Sequence, residues 1–430
     1  MGRGASTKSL VLATALAAGG AVAAYAATAQ RSTPPIARYE MKAGTISGMG
    51  AMGGPGGGAG GKRPGAGAAM SMMFGGGRNS ARHELDLELG SSLAPTGGAP
   101  RADHFIPAGM KLGASLALKT PVHTAGTSAP DQFQRPRMRM LIFWGCGEHA
   151  PKGQPVVIDF SKLGAGSVPP GLFSSSVPVD NWVNEASSRT YGRWPSDDGK
   201  YAKPDSMLPG AHRVVANYAP EMDFTLSHDF MAALRASSAT QAGGSTLLNW
   251  SLVPDATGYY AWVMGGKGDG QQMQDVVWWT SSASREFGGG LSDWLSPATV
   301  ARLVANRTVL SPQTTNCTVP AEVRQAAPNF MYAMIYAYGP EESFAYPPRP
   351  ASPNVVWHPQ WEARIRYRSM TGMMLGMPGM GGMGGMADSG DEGAPPPKCQ
   401  PKKKKKGLGA LGGMLGGVIT GQLPSDDGCR

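Results

Sequence analysis

The chain has 430 residues, enough for two ordinary domains, yet 62 glycines and 36 prolines beside only 16% charged residues mean that part of it cannot bury a core. The formal charge of +9 does not point to nucleic acid, because five of the positive charges form the single run Lys402–Lys406 and the rest are dispersed.

At the N-terminus, Arg3 and Lys8 precede an apolar run from Leu10 to Ala24, and Ala27-Thr28-Ala29 follows as the small-x-small pattern of a signal-peptidase site. Residues 1–29 are therefore expected to be a signal peptide, and the protein to be exported to a periplasm or secreted. A retained membrane anchor is the alternative, since Leu10 to Ala29 has the length of a bilayer span. Residues 30–81 mix Gly, Ala, Met and Pro without a strand or helix period, which predicts a flexible Gly/Met-rich leader.

From residue 82 the pattern changes. Leu85, Leu87 and Leu89 alternate with Glu84, Asp86 and Glu88, a strand with one leucine face and one carboxylate face that faces solvent or holds a cation. Further strands are predicted over 110–118, 138–144 (Met138, Met140, Ile142 and Trp144 on one side), 155–160, 212–218 and 222–226, with a polar, Trp-bearing connection over 163–208. Residues 82–230 read as one β domain.

Residues 231–369 read as a second. The run Leu247-Leu248-Asn249-Trp250-Ser251-Leu252-Val253-Pro254-Asp255-Ala256-Thr257-Gly258-Tyr259-Tyr260 resembles the B strand, turn and C strand of a fibronectin type III-like β-sandwich. Phe330 to Tyr338 resembles its F strand and Trp361 to Arg368 its last strand. The residues agree with that resemblance, because Tyr259, Ala261 and Val263 alternate with Tyr260, Trp262 and Met264, and residues 275–280 return as the next strand after a Gly-rich turn. A helix interrupts the sandwich: Ser296 is placed to cap it, Pro297 to open it, Leu295 to staple against Val300, and Asn306 or Arg307 to end it. The expected fold is mainly β, two β-sandwich-like domains flanked by disordered tails, the second tail covering 370–430.

Three constellations carry chemistry. Cys146, Glu148 and His149 stand together at a strand end, where a thiol beside an imidazole is a nucleophile pair or a metal-ligand pair for a hydrolase or thiol enzyme. Cys146 is equally a disulfide half: Cys146, Cys317, Cys399 and Cys429 allow three pairings, and a Cys146–Cys317 bond would staple the two domains. In the tail, Met370, Met373, Met374, Met377, Met380, Met383 and Met386 stand mostly three apart. This resembles the Met-rich segments of periplasmic copper-handling proteins, so Met377, Met380, Met383 and Met386 are candidate thioether ligands for Cu(I) or Ag(I), against the plainer reading of a Gly/Met linker. Lys402, Lys403, Lys404, Lys405 and Lys406, with the glycine-rich stretch 407–421, offer contact with an anionic membrane surface or remain a solvated tail.

No nucleophile elbow, zinc-protease helix, phosphate loop or dinucleotide fingerprint occurs in the sequence. The expectation is a non-catalytic envelope protein that binds a partner protein or a glycan through Trp- and Tyr-rich surfaces and carries no cofactor, with soft-metal handling and thiol chemistry as the competing readings.

Overall fold

The structure, a computed structural model, describes residues 31–52, 81–121, 138–162, 173–178, 180, 182–195, 201–268 and 272–376. The expectations for residues 1–29, for Met377, Met380, Met383 and Met386, for Cys399 and Cys429 and for the lysine run Lys402–Lys406 lie outside the described residues.

The chain is mainly β. In order it forms β1 (Ala37–Gly48), β2 (Ala81–Ser91), β3 (Ala102–Phe105), β4 (Ser115–Ala117), β5 (Arg139–Trp144), β6 (Val156–Asp159), β7 (Thr190–Trp194), β8 (Gly210–Ala216) and β9 (Ala219–Leu226). Then follow β10 (Ala236–Thr240), β11 (Thr246–Trp250), β12 (Gly258–Gly268), β13 (Met273–Thr280), α1 (Pro297–Ala305), β14 (Asn316–Val319), α2 (Ala321–Ala326), β15 (Phe330–Tyr346) and β16 (Trp361–Met374). None of the helices among the described residues is long and apolar enough to cross a membrane.

A nine-stranded sheet, in the order β6-β5-β13-β12-β15-β16-β1-β2-β7, forms the middle of the molecule. Its two faces follow from the period of two in its strands. On one face Tyr39, Met41, Leu85, Leu87, Leu89, Tyr259, Ala261, Val263 and Ile335 pack under two small sheets. One of these is β10-β11-β14, which sets Leu248, Trp250 and Val319 against β12. The other is β4-β3-β8-β9, which sets Leu116, Val214 and Phe224 in the same core. On the opposite face Tyr260, Trp262, Trp278 and Tyr336 lie beneath Phe287, Leu291, Leu295 and the Val300 and Leu303 side chains of α1.

The mainly β class is as expected, and strands from both sides of residue 230 share one large sheet. The sheet is continuous because β1 enters between β16 and β2, parallel to β16 from Ala37 opposite Trp361 to Gly48 opposite Gly372, and antiparallel to β2. β5 likewise pairs in parallel with β13. The structureless leader expected over 30–81 is therefore corrected at residues 37–48, where a strand is completely internal to the sheet. The alternation of Tyr39, Met41 and Ala43 with Glu40, Lys42 and Gly44 is present in the sequence, but its small and charged residues mask it.

The helix conforms to its expected ends. Ser296 accepts a hydrogen bond from the Thr299 backbone N–H at 3.2 Å, Pro297 is the first helical residue and Asn306 closes the last turn.

Candidate functional site

Cys146 follows the end of β5, and its Sγ is bonded to that of Cys317 on β14, with a Cα–Cα separation of 5.3 Å. The bond ties the large sheet to the three-stranded one, and the Gly147 backbone N–H adds a hydrogen bond to the Thr318 carbonyl at 2.9 Å. Cys146 is therefore no nucleophile, which corrects the thiol-enzyme reading: a sulfur shared in a disulfide has no thiolate for His149 to activate. His149 instead lies on the surface, its Nδ1 3.0 Å from Glu322 Oε1, while Glu148 contributes its backbone carbonyl to the Ala321 N–H at 3.0 Å. The Glu322 carboxyl is held below its usual range chiefly by the Ala150 backbone N–H, with His149 adding to this. The three candidates share the loop between β5 and β6, where Cys146 is bonded to Cys317 and His149 faces Glu322 of α2, and they do not converge on a common point for a substrate.

The methionine run divides at residue 376. Met370 is fully buried in β16, and Met373 and Met374 pack against the two cores on either side of the sheet. These three are strand side chains on alternate faces, set by the period of the sheet. A shallow groove of about 390 Å³ lies where the chain leaves the sheet, lined among others by Arg324, Phe330, Met331, Met374 and Gly376.

The most elaborate polar construction is the carboxylate face of β2. It is not an open solvent face: it meets the basic side chains of β1 and β16. The registers of β2, β1 and β16 lay Glu88, Glu40 and Arg364 in one row, Asp86, Lys42 and Arg366 in the next, and Glu84, Gly44 and Arg368 in the third. Arg364 grips Glu40 in a two-pronged bond, Nε to Oε2 at 2.8 Å and Nη2 to Oε1 at 2.7 Å. Lys42 donates to Glu88 at 3.0 Å, and Arg368 to Glu84 at 3.0 Å. Arg366 donates to Glu341 at 2.6 Å and to Asp180, and Arg364 reaches the same Asp180 at 3.3 Å.

Two tryptophans roof this array. Trp182 lies with its ring centre 4.3 Å from the Lys42 ammonium and 4.6 and 4.7 Å from the Arg364 and Arg366 guanidinium carbons. Trp294 lies 3.9 Å from that of Arg368. Gly44 is required beneath it, since a Cβ there would come within 2.9 Å of Trp294 Cη2. The roof excludes water, so the carboxyls are displaced upward: burial pushes Glu40 up to about 6 in spite of Arg364, and burial followed by the Glu84 charge pushes Asp86 up to about 7. Asp86 and Glu40 are the carboxyls of this array raised toward neutrality.

A second buried chain joins β1 to the four-stranded sheet. The Tyr39 hydroxyl lies 2.8 Å from His104 Nδ1, His104 Nε2 lies 2.9 Å from His212 Nδ1, and His212 Nε2 lies 2.8 Å from the Leu208 carbonyl. The carbonyl can only accept, so His212 carries its proton on Nε2 and His104 donates from Nε2, leaving His104 Nδ1 to accept from Tyr39. Both rings are neutral. Burial, then the neighbouring His212, pulls His104 well below the ordinary histidine range, and burial lowers His212.

The array and the histidine chain were beyond sequence reasoning, although Arg364, Arg366 and Arg368 at alternate positions gave a signal of a basic strand face. The expected Trp- and Tyr-rich surfaces are also corrected. Trp194, Trp250, Trp262, Trp278, Trp279, Tyr259, Tyr260, Tyr336 and Tyr338 are core residues, because the sheet is covered on both faces. Among the described residues, no group of three or more His, Cys, Asp and Glu side chains is placed to hold a metal ion. Comparison with models of known protein families and with curated protein sequences found no match to the chain.

Proposed function

We propose that this is an exported, non-catalytic protein of the cell envelope that acts by binding a partner protein or a glycan. The observation that carries the reading is the Cys146–Cys317 bond. A disulfide of this kind belongs to an oxidising compartment, in line with the signal-like residues 1–29, and it occupies the thiol on which the enzymatic alternative depends. Several polar groups of the interior serve one another: Glu40 with Arg364, Glu84 with Arg368, Lys42 with Glu88, and His104 with Tyr39 and His212. Such a scaffold is rigid, and rigidity favours recognition by preorganised surface loops.

The test has two parts. In fractionated cells, non-reducing peptide mapping is expected to recover the Cys146–Cys317 peptide pair from the periplasmic or envelope fraction. Free thiols in a cytoplasmic pool would overturn the assignment of compartment. Purified protein spanning residues 30–430 is then expected to bind isolated envelope material saturably, with protease treatment of that material abolishing binding to a protein partner and periodate treatment abolishing binding to a glycan. Absence of saturable binding would overturn the binding reading.

A further inference from the structure

One end of the nine-stranded sheet is built differently from the rest of the surface. Ser91, Ala37, Trp361 and Tyr346 stand in one row across β2, β1, β16 and β15. In that row Tyr346 is 52% exposed, and just outside it Ile36 is 36% exposed, Leu93 44%, Val355 49% and Val356 41%, all large apolar side chains. The pieces are held together by the backbone: the Ser92 N–H donates to the Ile36 carbonyl at 2.9 Å, Thr33 N–H to the Trp357 carbonyl at 3.0 Å, and Trp357 N–H to the Arg31 carbonyl at 2.9 Å. Trp357 also donates through Nε1 to the Pro347 carbonyl at 3.0 Å, which fixes the loop that carries Val355 and Val356. An exposed apolar cluster on a fixed loop is a contact surface and not a fluctuation of a tail.

Its charge is one-sided. Residues 31–39, 91–101 and 343–361 contain no Asp or Glu, while they carry Arg31, Arg38, Arg101 and Arg349. Arg349 stacks over Trp357 at 5.0 Å. The first carboxylate of β16, Glu362, is tied to Arg38 at 3.5 Å, and Glu185 stands beyond β2 on the β7 side. Apolar tips with arginines and an aromatic at their base match the interfacial layer of an anionic bilayer, where the tips enter the acyl boundary and the cations meet the headgroups.

The position of the patch in the chain points the same way. The apolar run Leu10 to Ala29 ends two residues before Arg31 in the numbering, and the Arg31 carbonyl is bonded to Trp357 in the loop of Val355 and Val356. Retained as an anchor, that run would hold this end of the sheet at a membrane surface. The lysine run Lys402–Lys406 follows from the opposite end, since β16 begins at Trp361 in the patch and finishes at Met374 away from it.

We propose that this end of the sheet rests on an anionic phospholipid surface, with Val355 and Val356 entering the interfacial layer and Ile36, Tyr346, Arg31 and Arg349 around them. The experiment is sedimentation of the purified 30–430 chain with vesicles of phosphatidylglycerol and phosphatidylethanolamine, beside vesicles of phosphatidylcholine alone. Binding to the anionic vesicles is expected, and the double variant Val355→Asp with Val356→Asp is expected to weaken it by about tenfold or more. Val355→Leu with Val356→Leu is expected to keep it. Both changes lie on exposed positions, and unchanged thermal unfolding verifies that the fold is kept. A variant with all of Lys402–Lys406 replaced by Gln separates the tail from the patch. The proposal is overturned if the 30–430 chain stays in solution with the anionic vesicles, or if the aspartate variant binds like the parent while the glutamine variant alone loses binding.

Discussion

Trp294 covers Arg368 at 3.9 Å from ring centroid to guanidinium carbon, and beneath that cover Arg368 donates to Glu84 at 3.0 Å. Both charges are largely out of water, with side-chain exposures of 9% and 11%. Removal of one partner would leave the other charged and unpaired. Arg368→Met is therefore expected to destabilise the fold by about 3–5 kcal/mol, whereas Arg368→Met combined with Glu84→Leu recovers most of the loss. Denaturant midpoints of the three variants measure this, and a double variant no better than the single would contradict the pairing.

Asp86 makes stability depend on pH. Its folded carboxyl is raised from the ordinary 3.8 to about 7, so the protonated form is favoured by the fold. The contribution is complete below about pH 4 and is lost as pH rises through 7, when a charge must be kept beneath the roof. Asp86→Asn is expected to raise the melting temperature at pH 8, with a gain on the order of 2 kcal/mol, and to have little effect at pH 4. Melting curves across that range are decisive; an equal effect at both ends would exclude Asp86 as the titrating group.

The histidine chain has the opposite sign. Folded His104 and His212 titrate below the ordinary 6.5, so their neutral state stabilises the protein above that pH and the stabilisation is lost as pH falls through 6.5 toward the folded values. Replacing His212 by Phe, beside Phe224 which stacks on it at 5.5 Å, is expected to flatten the acid limb of the stability profile while orphaning His104 Nε2–H, a cost of about 1–3 kcal/mol at neutral pH. Stability measured from pH 5 to 8 shows whether the acid limb and the neutral-pH loss move together.

Cys146 and Cys317 are 171 residues apart, a long loop for the unfolded chain to have closed. Cys146→Ser, Cys317→Ser and the double variant are each expected to lose about 2–4 kcal/mol, equally and without adding. Reductant should lower the parent to the same level. A difference between the two single variants would mean that one sulfur has a further role.

Local pattern was sufficient for much of this protein. Leucines at alternate positions from 85 to 89, the Tyr259–Met264 alternation and the Ser296-Pro297 cap specify two strands and a helix from neighbours alone, because each signal spans fewer residues than the element it forms. Composition and the Ala27-Thr28-Ala29 pattern likewise carry the expectation of export without any contact. Within residues 247–260, Trp250 and Tyr259 lie 5.8 Å apart in the folded chain, a contact the strand alternation alone does not assign.

Register across hundreds of residues was decided only by the tertiary structure. Glu40 meets Arg364 after 324 residues, and Glu84 meets Arg368 after 284. Nothing in the neighbourhood of Glu84 distinguishes a solvent face from a roofed one, because the difference lies in Trp182 and Trp294 arriving from elsewhere. The strand β1 escaped for the same reason: its small and charged residues lack a hydrophobic run of their own, and they are stable as a strand because β2 and β16 satisfy its backbone on both sides and pair its charges. Sequence by itself determined those extended segments whose apolar residues alternate within the segment, such as 85–89 and 259–264. Packing determined which strands are neighbours, and with that which sulfurs bond, which carboxyls meet arginines, and which end of the sheet gathers exposed apolar side chains.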